Sequence, residues 1–546
     1  MRKTSLIGLL AMASAAGCAG QASTTDGTAA TTSAALSSDE QAGRDTWFNA
    51  TFGGEKFFSL ILPQAPFNLK LGFDQILTSD RNTRFDTFGV VNDPDCVQGD
   101  ITTGYLDKCA DDANVGSYNG ASAGIVGVRK MLNPLRGQPG QPPIIVGVSC
   151  AGCHAGLEAQ NPPADPNHPG WANINATTGN QYLAVGTIFG GHLDHSDPRY
   201  QVFHTWAPGT VDTTAIESDH VNNPGIITQF FNLNKRPYFD LTENGQPINV
   251  HRAGQGGEDD AGCQAAALRV YFNIGMCAAE CMIPHLANGP GGTQTPIDQV
   301  ECEQKCPDFA KAQTAVVNMC KFMATTTPPS LKAAAHAAGE DGQYITDDRH
   351  VIAQGKAVFQ STCASCHGGA VLSDDLIHPA GDIGTNSCRS KTTNWEAGHI
   401  WAEFSSDQYK QRPTGGPGYY RDVPLLGVWA TAPFFHNNRL GVFNGDPSLG
   451  GRVAAYEEAM YELLNPFTAR DYAGSVQRTT DAIQVPTPIG PLTLPAGTPV
   501  ALFANLDPTN PLNNLCPDLV ENGGHAFGWY LSPSDKYALT EYLKTK

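Results

Sequence analysis

The chain has 546 residues, with 53 acidic side chains against 34 lysines and arginines, a formal net charge of −19. Such an excess of negative charge disfavours nucleic acid or an anionic membrane surface as a partner, since both are met by basic patches. Only 16% of residues are charged, and 58 glycines with 38 prolines point to several domains in which irregular loops hold much of the chain.

The N-terminus reads as a targeting segment. Arg2 and Lys3 precede a short apolar run over 6–16, the layout of an export signal. Ala15-Ala16-Gly17-Cys18 resembles a lipoprotein processing box with Cys18 as the lipidated residue; ordinary signal cleavage nearby is the alternative. Residues 19–42, rich in Ala, Ser and Thr, read as a flexible tether. The expected location is therefore outside the cytoplasm, as an outer-membrane lipoprotein facing the periplasm or the cell surface, held by its lipid anchor. No later stretch is apolar enough to cross a bilayer.

Two motifs of the form Cys-x-x-Cys-His follow, Cys150-Ala151-Gly152-Cys153-His154 and Cys363-Ala364-Ser365-Cys366-His367. Two thiols three residues apart lie on one turn, where they can form thioethers to the vinyl groups of a haem, and the next residue then projects beneath the porphyrin as an iron ligand. At these Cys and His frequencies about 0.01 matches would arise by chance, and the chain has two. Two covalently bound haem c groups are expected, with Cys150, Cys153, Cys363 and Cys366 as attachment points and His154 and His367 as proximal ligands. A thioredoxin-type redox CxxC is the competing reading, and the apolar run 144–148 before the first motif resembles its strand.

The remaining cysteines suit an oxidising compartment. Cys277-x-x-x-Cys281 and Cys302-x-x-x-Cys306 each place two thiols one helical turn apart. Antiparallel packing of two such helices pairs Cys277 with Cys306 and Cys281 with Cys302; a Cys₄ zinc site is the rival. Cys96 with Cys109 reads as a local loop closure. Partners for Cys263, Cys320, Cys388 and Cys516 are not assignable from the sequence.

Ile352 and Phe359, seven residues apart, mark a helix leading into the second motif, and Ser532-Pro533-Ser534-Asp535 marks the capped start of a last helix carrying Leu539, Tyr542 and Leu543. An opening helix, a haem turn and a closing helix are the parts of a cytochrome c domain. His154 and His367 are too far apart for one such unit, and Ala324-Thr325-Thr326-Thr327-Pro328-Pro329 reads as the break between two. The expected architecture is mainly α with extensive irregular loops, in two cytochrome-c-like haem domains over 43–328 and 329–546. The first contains the Cys-rich helical hairpin, and one minor β hairpin falls over 483–500.

The second iron's sixth ligand is sought among His378, His399, His436 and His525. His436 lies in Val423-Pro424-Leu425-Leu426-Gly427-Val428-Trp429-Ala430-Thr431-Ala432-Pro433-Phe434-Phe435-His436-Asn437-Asn438-Arg439. This stretch resembles the C-terminal-domain motif of the bacterial dihaem cytochrome c peroxidase superfamily. Gly43-Arg44-Asp45-Thr46-Trp47-Phe48, Arg84-Phe85, Asn92-Asp93-Pro94, 269–275 and Gly523-Gly524-His525-Ala526-Phe527-Gly528 resemble the narrower branch of dihaem rubber oxygenases. That resemblance implies that the first haem takes O₂ on a face without a protein ligand and that the second is held by two histidines. By motif, His525 becomes the second iron's distal ligand, and Phe272 the apolar residue over the first haem's open face. A core aromatic is the competing role for Phe272. The chain departs from that branch in its lipid box and its short, Cys-rich middle.

Three functions remain in view. One is an oxygenase acting on an apolar organic substrate with O₂, its second haem tuning or relaying electrons. The second is a hydrogen peroxide reductase fed by a small electron-transfer protein, with His192, His195, His251 and several carboxylates as candidate acid/base groups. The third is a non-catalytic electron carrier, in which Met276, Met282, Met319 or Met323 would complete the first iron.

Overall fold

The computed structural model describes residues 35–100, 107–212, 220–231, 263–286, 294–369, 371–373, 377–404, 418–487, 490–507 and 510–546, and the backbone alone of 242–243, 246–247 and Ile377. The export signal, Cys18, most of the tether and His251 lie outside the described residues. Helix outweighs strand, but the β content exceeds the single hairpin expected: seven small sheets occur among the described residues. The apolar run 144–148, which resembles the strand of a thioredoxin-type motif, is one of the strands present.

The first core is framed by a helix crossing. Helix α1 (Ser38–Asn49) opens on a capping box in which Ser37 and Glu40 satisfy each other's backbone N–H groups. Helix α2 (Cys263–Asn273) brings Tyr271 and Phe272 into the same core, and α3 (Gln299–Lys305) leads through Cys306 into α4 (Pro307–Met323), which starts with proline at its first turn. Helix α1 lies across α4 at Gly43, where an added Cβ would stand 2.8 Å from Met319 N and closer still to the Asn318 carbonyl. Trp47 and Phe48, one turn on, enter the core. Facing these helices is a three-stranded antiparallel sheet of Ala121–Ser122, Val128–Leu132 and Ile144–Val148, with Val128 paired to Val148 and Lys130 to Val146.

The disulfides knit this half together. Cys277–Cys306, Cys281–Cys302 and Cys96–Cys109 pair as the sequence suggests. Cys277 and Cys281 sit around the widened helical turn Ala278–Met282 rather than on a regular helix. Two further bridges join Cys263 to Cys320 and Cys388 to Cys516.

A second crossing frames the second core. Helix α5 (Arg349–Thr362), capped by Asp348, meets the last helix, α6 (Pro533–Leu543), capped by Ser532. The contact point is again a glycine, Gly355, whose Cβ would stand 2.7 Å from Tyr542 Cβ and closer still to the Ala538 carbonyl. Phe359, one turn on, packs its ring 5.5 Å from Tyr542. Each half thus uses glycine followed four residues later by an aromatic to seat its opening helix on a later one. The hairpin over 483–500 is present as Ile483–Val485 paired with Leu492–Leu494.

The break at 328/329 does not separate the cores cleanly. Ile400, Trp401 and Phe404 are buried in the first core, and Ala159 lies in the second. Buried Arg452 donates to the carbonyls of Leu157 and Ala430, stitching the halves with charge-assisted hydrogen bonds. Among the described residues, no single helix is long and apolar enough to cross a membrane.

Candidate functional site

The strand Ile144–Val148 delivers the chain directly to the first Cys-x-x-Cys-His turn. Ser149 fixes the junction, its N–H donating to the Gly127 carbonyl and its hydroxyl to the Phe48 carbonyl at 2.9 Å. Gly127 has φ +73° and approaches the Ala151–Gly152 backbone so closely that no side chain would fit there. The turn then closes with His154 N–H donating to the Cys150 carbonyl at 3.0 Å. His154 Nδ1 lies 3.1 Å from the Thr228 carbonyl. A carbonyl only accepts, so Nδ1 carries the hydrogen and Nε2 is the basic nitrogen, the tautomer a metal ligand requires. Phe230 at 4.8 Å and Trp47 at 5.8 Å hold the ring.

Cys150 is buried, and burial pushes its thiol up to about 12 even though the Tyr271 hydroxyl hydrogen-bonds to it; burial takes Cys153 to about 11. Tyr271 also donates to Met319 Sδ at 3.7 Å, so α2 lies against the first motif. The next residue, Phe272, is fully buried, with ring centres 5.6 Å from Phe309, 5.6 Å from Phe404 and 6.0 Å from Trp401. The Trp401 indole N–H is buried with no hydrogen-bond partner among the described residues. Beside it, the buried side chains of Arg269 and Glu396 approach to 3.9 Å, with the guanidinium 5.2 Å from the Trp401 ring.

The second motif continues α5 directly. Cys363 N–H donates to Phe359 O and His367 N–H to Cys363 O, and burial raises the Cys363 thiol to about 11. His367 Nδ1 lies 3.7 Å from Asp422 Oδ2, both side chains being largely buried. His525 faces this ring, with centroids 6.2 Å apart and planes 49° apart. The loop bearing His525 is tightly held. Gly524, at φ +78°, touches the Gly384 backbone, His525 N–H donates to Ile383 O at 2.7 Å, and Arg470 donates to the carbonyls of Asn522 and Gly524. Burial, followed by the neighbouring His367, lowers the His525 imidazole to about 4, leaving it neutral and able to ligate.

His436 is engaged elsewhere. Its ring stacks on Tyr420 at 4.7 Å, its Nε2 lies 3.3 Å from the Tyr420 hydroxyl, and burial with the nearby Arg389 lowers it to about 3. Its carbonyl accepts from Ile226 N–H, two residues before Thr228, while the preceding Phe435 packs 6.1 Å from His525. His399 stacks on Trp395 at 4.1 Å, and His378 lies beside Cys366. His192 pairs with Asp74 and His195 stacks on Tyr200. Met276, Met282, Met319 and Met323 are buried in the first core. Of the histidines proposed for the second iron, His525 stands ring to ring with His367.

Among the described residues, the cysteines outside disulfides are Cys150, Cys153, Cys363 and Cys366, the four in the two motifs. Two other groups gather potential metal ligands, Cys388/Cys516/Asp518 and Cys109/Asp111/Asp112, but their cysteines are tied up in disulfides. Thr228 and Asp422 carry no sequence signal for their places here, whereas Tyr271 lies in the segment 269–275 that carries part of the resemblance. No protein-family model and no curated protein sequence shows a significant match to the chain.

Proposed function

We propose that the protein is an exported dihaem c-type cytochrome oxidoreductase of the dihaem peroxidase superfamily, closest in kind to its rubber oxygenase branch. Cys150 and Cys153 would hold one haem, with His154 as its ligand, and Cys363 and Cys366 the other, with His367 and His525 as its ligands. The observation that carries the reading is the His367–His525 pair. Metal–imidazole bonds run about 2.0–2.1 Å, which with the half-width of each ring sets two imidazoles on one metal about 6 Å apart, and the observed separation is 6.2 Å. The fixed tautomer of His154 fits the same group.

When bound, such haems supply dioxygen or peroxide activation at an open iron and electron storage at a six-coordinate one. The chain's own residues divide the labour accordingly. His525 and His367 saturate the second site. Phe272, Phe309, Trp401 and Phe404 pack on one another in a buried apolar cluster beside α2, the part of the first core that the oxygenase reading assigns to an apolar organic substrate. A second reading, peroxide reduction with electrons from a small electron-transfer protein, is favoured by the buried Arg269–Glu396 pair, which offers an acid/base group beside Trp401.

Protein matured with c-type haem machinery should carry two haems per chain by pyridine haemochrome. Its EPR spectrum should show one low-spin six-coordinate iron, which His525→Ala converts to high spin. Oxygen uptake with a polyisoprene then favours the oxygenase, and peroxide turnover with a reduced small cytochrome favours the reductase. Haem content below two, or two low-spin irons in both redox states, contradicts the proposal.

A further inference from the structure

The two proximal histidines meet different acceptors. His154 Nδ1 faces a neutral backbone carbonyl, that of Thr228, at 3.1 Å. His367 Nδ1 faces a carboxylate, Asp422 Oδ2, at 3.7 Å. The position of Asp422 is fixed by its neighbours. Tyr419–Arg421, immediately before it, pairs with Ile377–Pro379, and the Asp422 carbonyl accepts from the Ser373 hydroxyl at 3.2 Å. The Asp422 side chain is 5% exposed and that of His367 15%, so little water screens the pair. At 3.7 Å the contact is an electrostatic one rather than a short hydrogen bond, and in a poorly screened interior such an interaction is far stronger than at the surface.

We propose that Asp422 is a positioning residue for the second haem, its buried carboxylate polarising the Nδ1–H of His367 so that this ligand gains imidazolate character and the second iron's reduction potential is lowered. A ligand made more basic in this way stabilises the more highly charged ferric state. A lower potential would keep the bis-histidine centre a willing electron donor. The inference rests on the dihaem reading above.

The test uses the full-length chain matured with both haems and a redox titration followed in the visible region. Asp422→Asn should raise the midpoint of the low-spin centre, leave the other midpoint in place, and increase the g-anisotropy of the low-spin ferric EPR signal. Asp422→Glu, which keeps the charge, should return the midpoint towards the original. Two haems per chain with an unmoved low-spin midpoint in Asp422→Asn would overturn this inference alone. Fewer than two haems in the unsubstituted protein would overturn the dihaem reading and this inference with it. Should Asp422→Asn fail to mature, the unsubstituted protein decides. A low-spin signal less anisotropic than that of a bis-imidazole centre with neutral acceptors supports the proposal, and one equally anisotropic overturns it.

Discussion

Replacing Gly355 with alanine tests whether the close helix crossing holds the second Cys-x-x-Cys-His turn. An alanine Cβ at this point would lie 2.6 Å from the Ala538 carbonyl carbon and 2.7 Å from Tyr542 Cβ, closer still to the Ala538 oxygen. The obstacle is mainly backbone, so the helices must part rather than a side chain swing aside. Overpacking of this kind costs about 1–3 kcal/mol, here towards the upper end, and the better helix propensity of alanine returns about 1 kcal/mol. The net loss is about 2 kcal/mol, equivalent to a fall in Tm of roughly 4–8 °C for a unit of about 200 residues. Because α5 runs straight into Cys363, the shift should also disturb the His367–His525 spacing. Differential scanning calorimetry and the low-spin EPR signal read the two effects. Gly381→Ala is the control, since its Cβ meets nothing within 4 Å. If Gly355→Ala melts at or above the temperature of the unsubstituted protein while Gly381→Ala behaves normally, the crossing is looser than this reasoning requires.

The disulfides should rank by the loop they close. Removing Cys388–Cys516, at a sequence separation of 128, costs about 5 kcal/mol in the chain-entropy treatment, and removing Cys96–Cys109, at 13, costs about 3 kcal/mol; paired Cys→Ala variants compared by thermal melting should keep that order. His436 binds its proton in the unfolded chain near 6.5 but in the fold only near 3. Its contribution is therefore lost as pH falls from about 6.5 towards 3, on the order of a few kcal/mol, and His436→Gln should flatten the acid side of the stability–pH curve; an unchanged curve contradicts the burial argument. Phe272→Ala leaves a cavity costing about 3–5 kcal/mol. It should alter oxygen-dependent turnover of an apolar alkene while sparing the low-spin EPR signal, and loss of that signal instead would point to a purely structural role.

What could be read from the sequence was mostly local. The i, i+4 spacing of Cys277/Cys281 and Cys302/Cys306, the capped start at Ser532 and the helix before Cys363 each announce themselves within a few residues, and each is present. Cys263–Cys320 and Cys388–Cys516 were not legible because each joins segments that meet only after the chain has folded, two helices in the first case and a helix start with a loop in the second. The acceptors at Nδ1 escaped for a different reason. Any residue can offer a carbonyl, as Thr228 does, and nothing around Asp422 distinguishes it from a solvated surface acid. The strand Val128–Leu132 was hidden by the lack of period in a short run buried at four of its five positions.

The crossing of the expected boundary by Ile400, Trp401 and Phe404 changes how the halves relate. These side chains emerge from the C-terminal half, shortly after the helical segment Cys388–Ala397, yet they complete the aromatic wall around Phe272 in the first core. Glu396, which approaches Arg269, comes from the same stretch. In the other direction, Ile226 of the first half donates to His436 O, and Phe435 beside it packs on His525. Each half therefore supplies part of the other's surroundings. The Ile226–His436 hydrogen bond and the Phe435–His525 contact thus join the Thr228 segment to the loop that carries His525 within one close-packed interior.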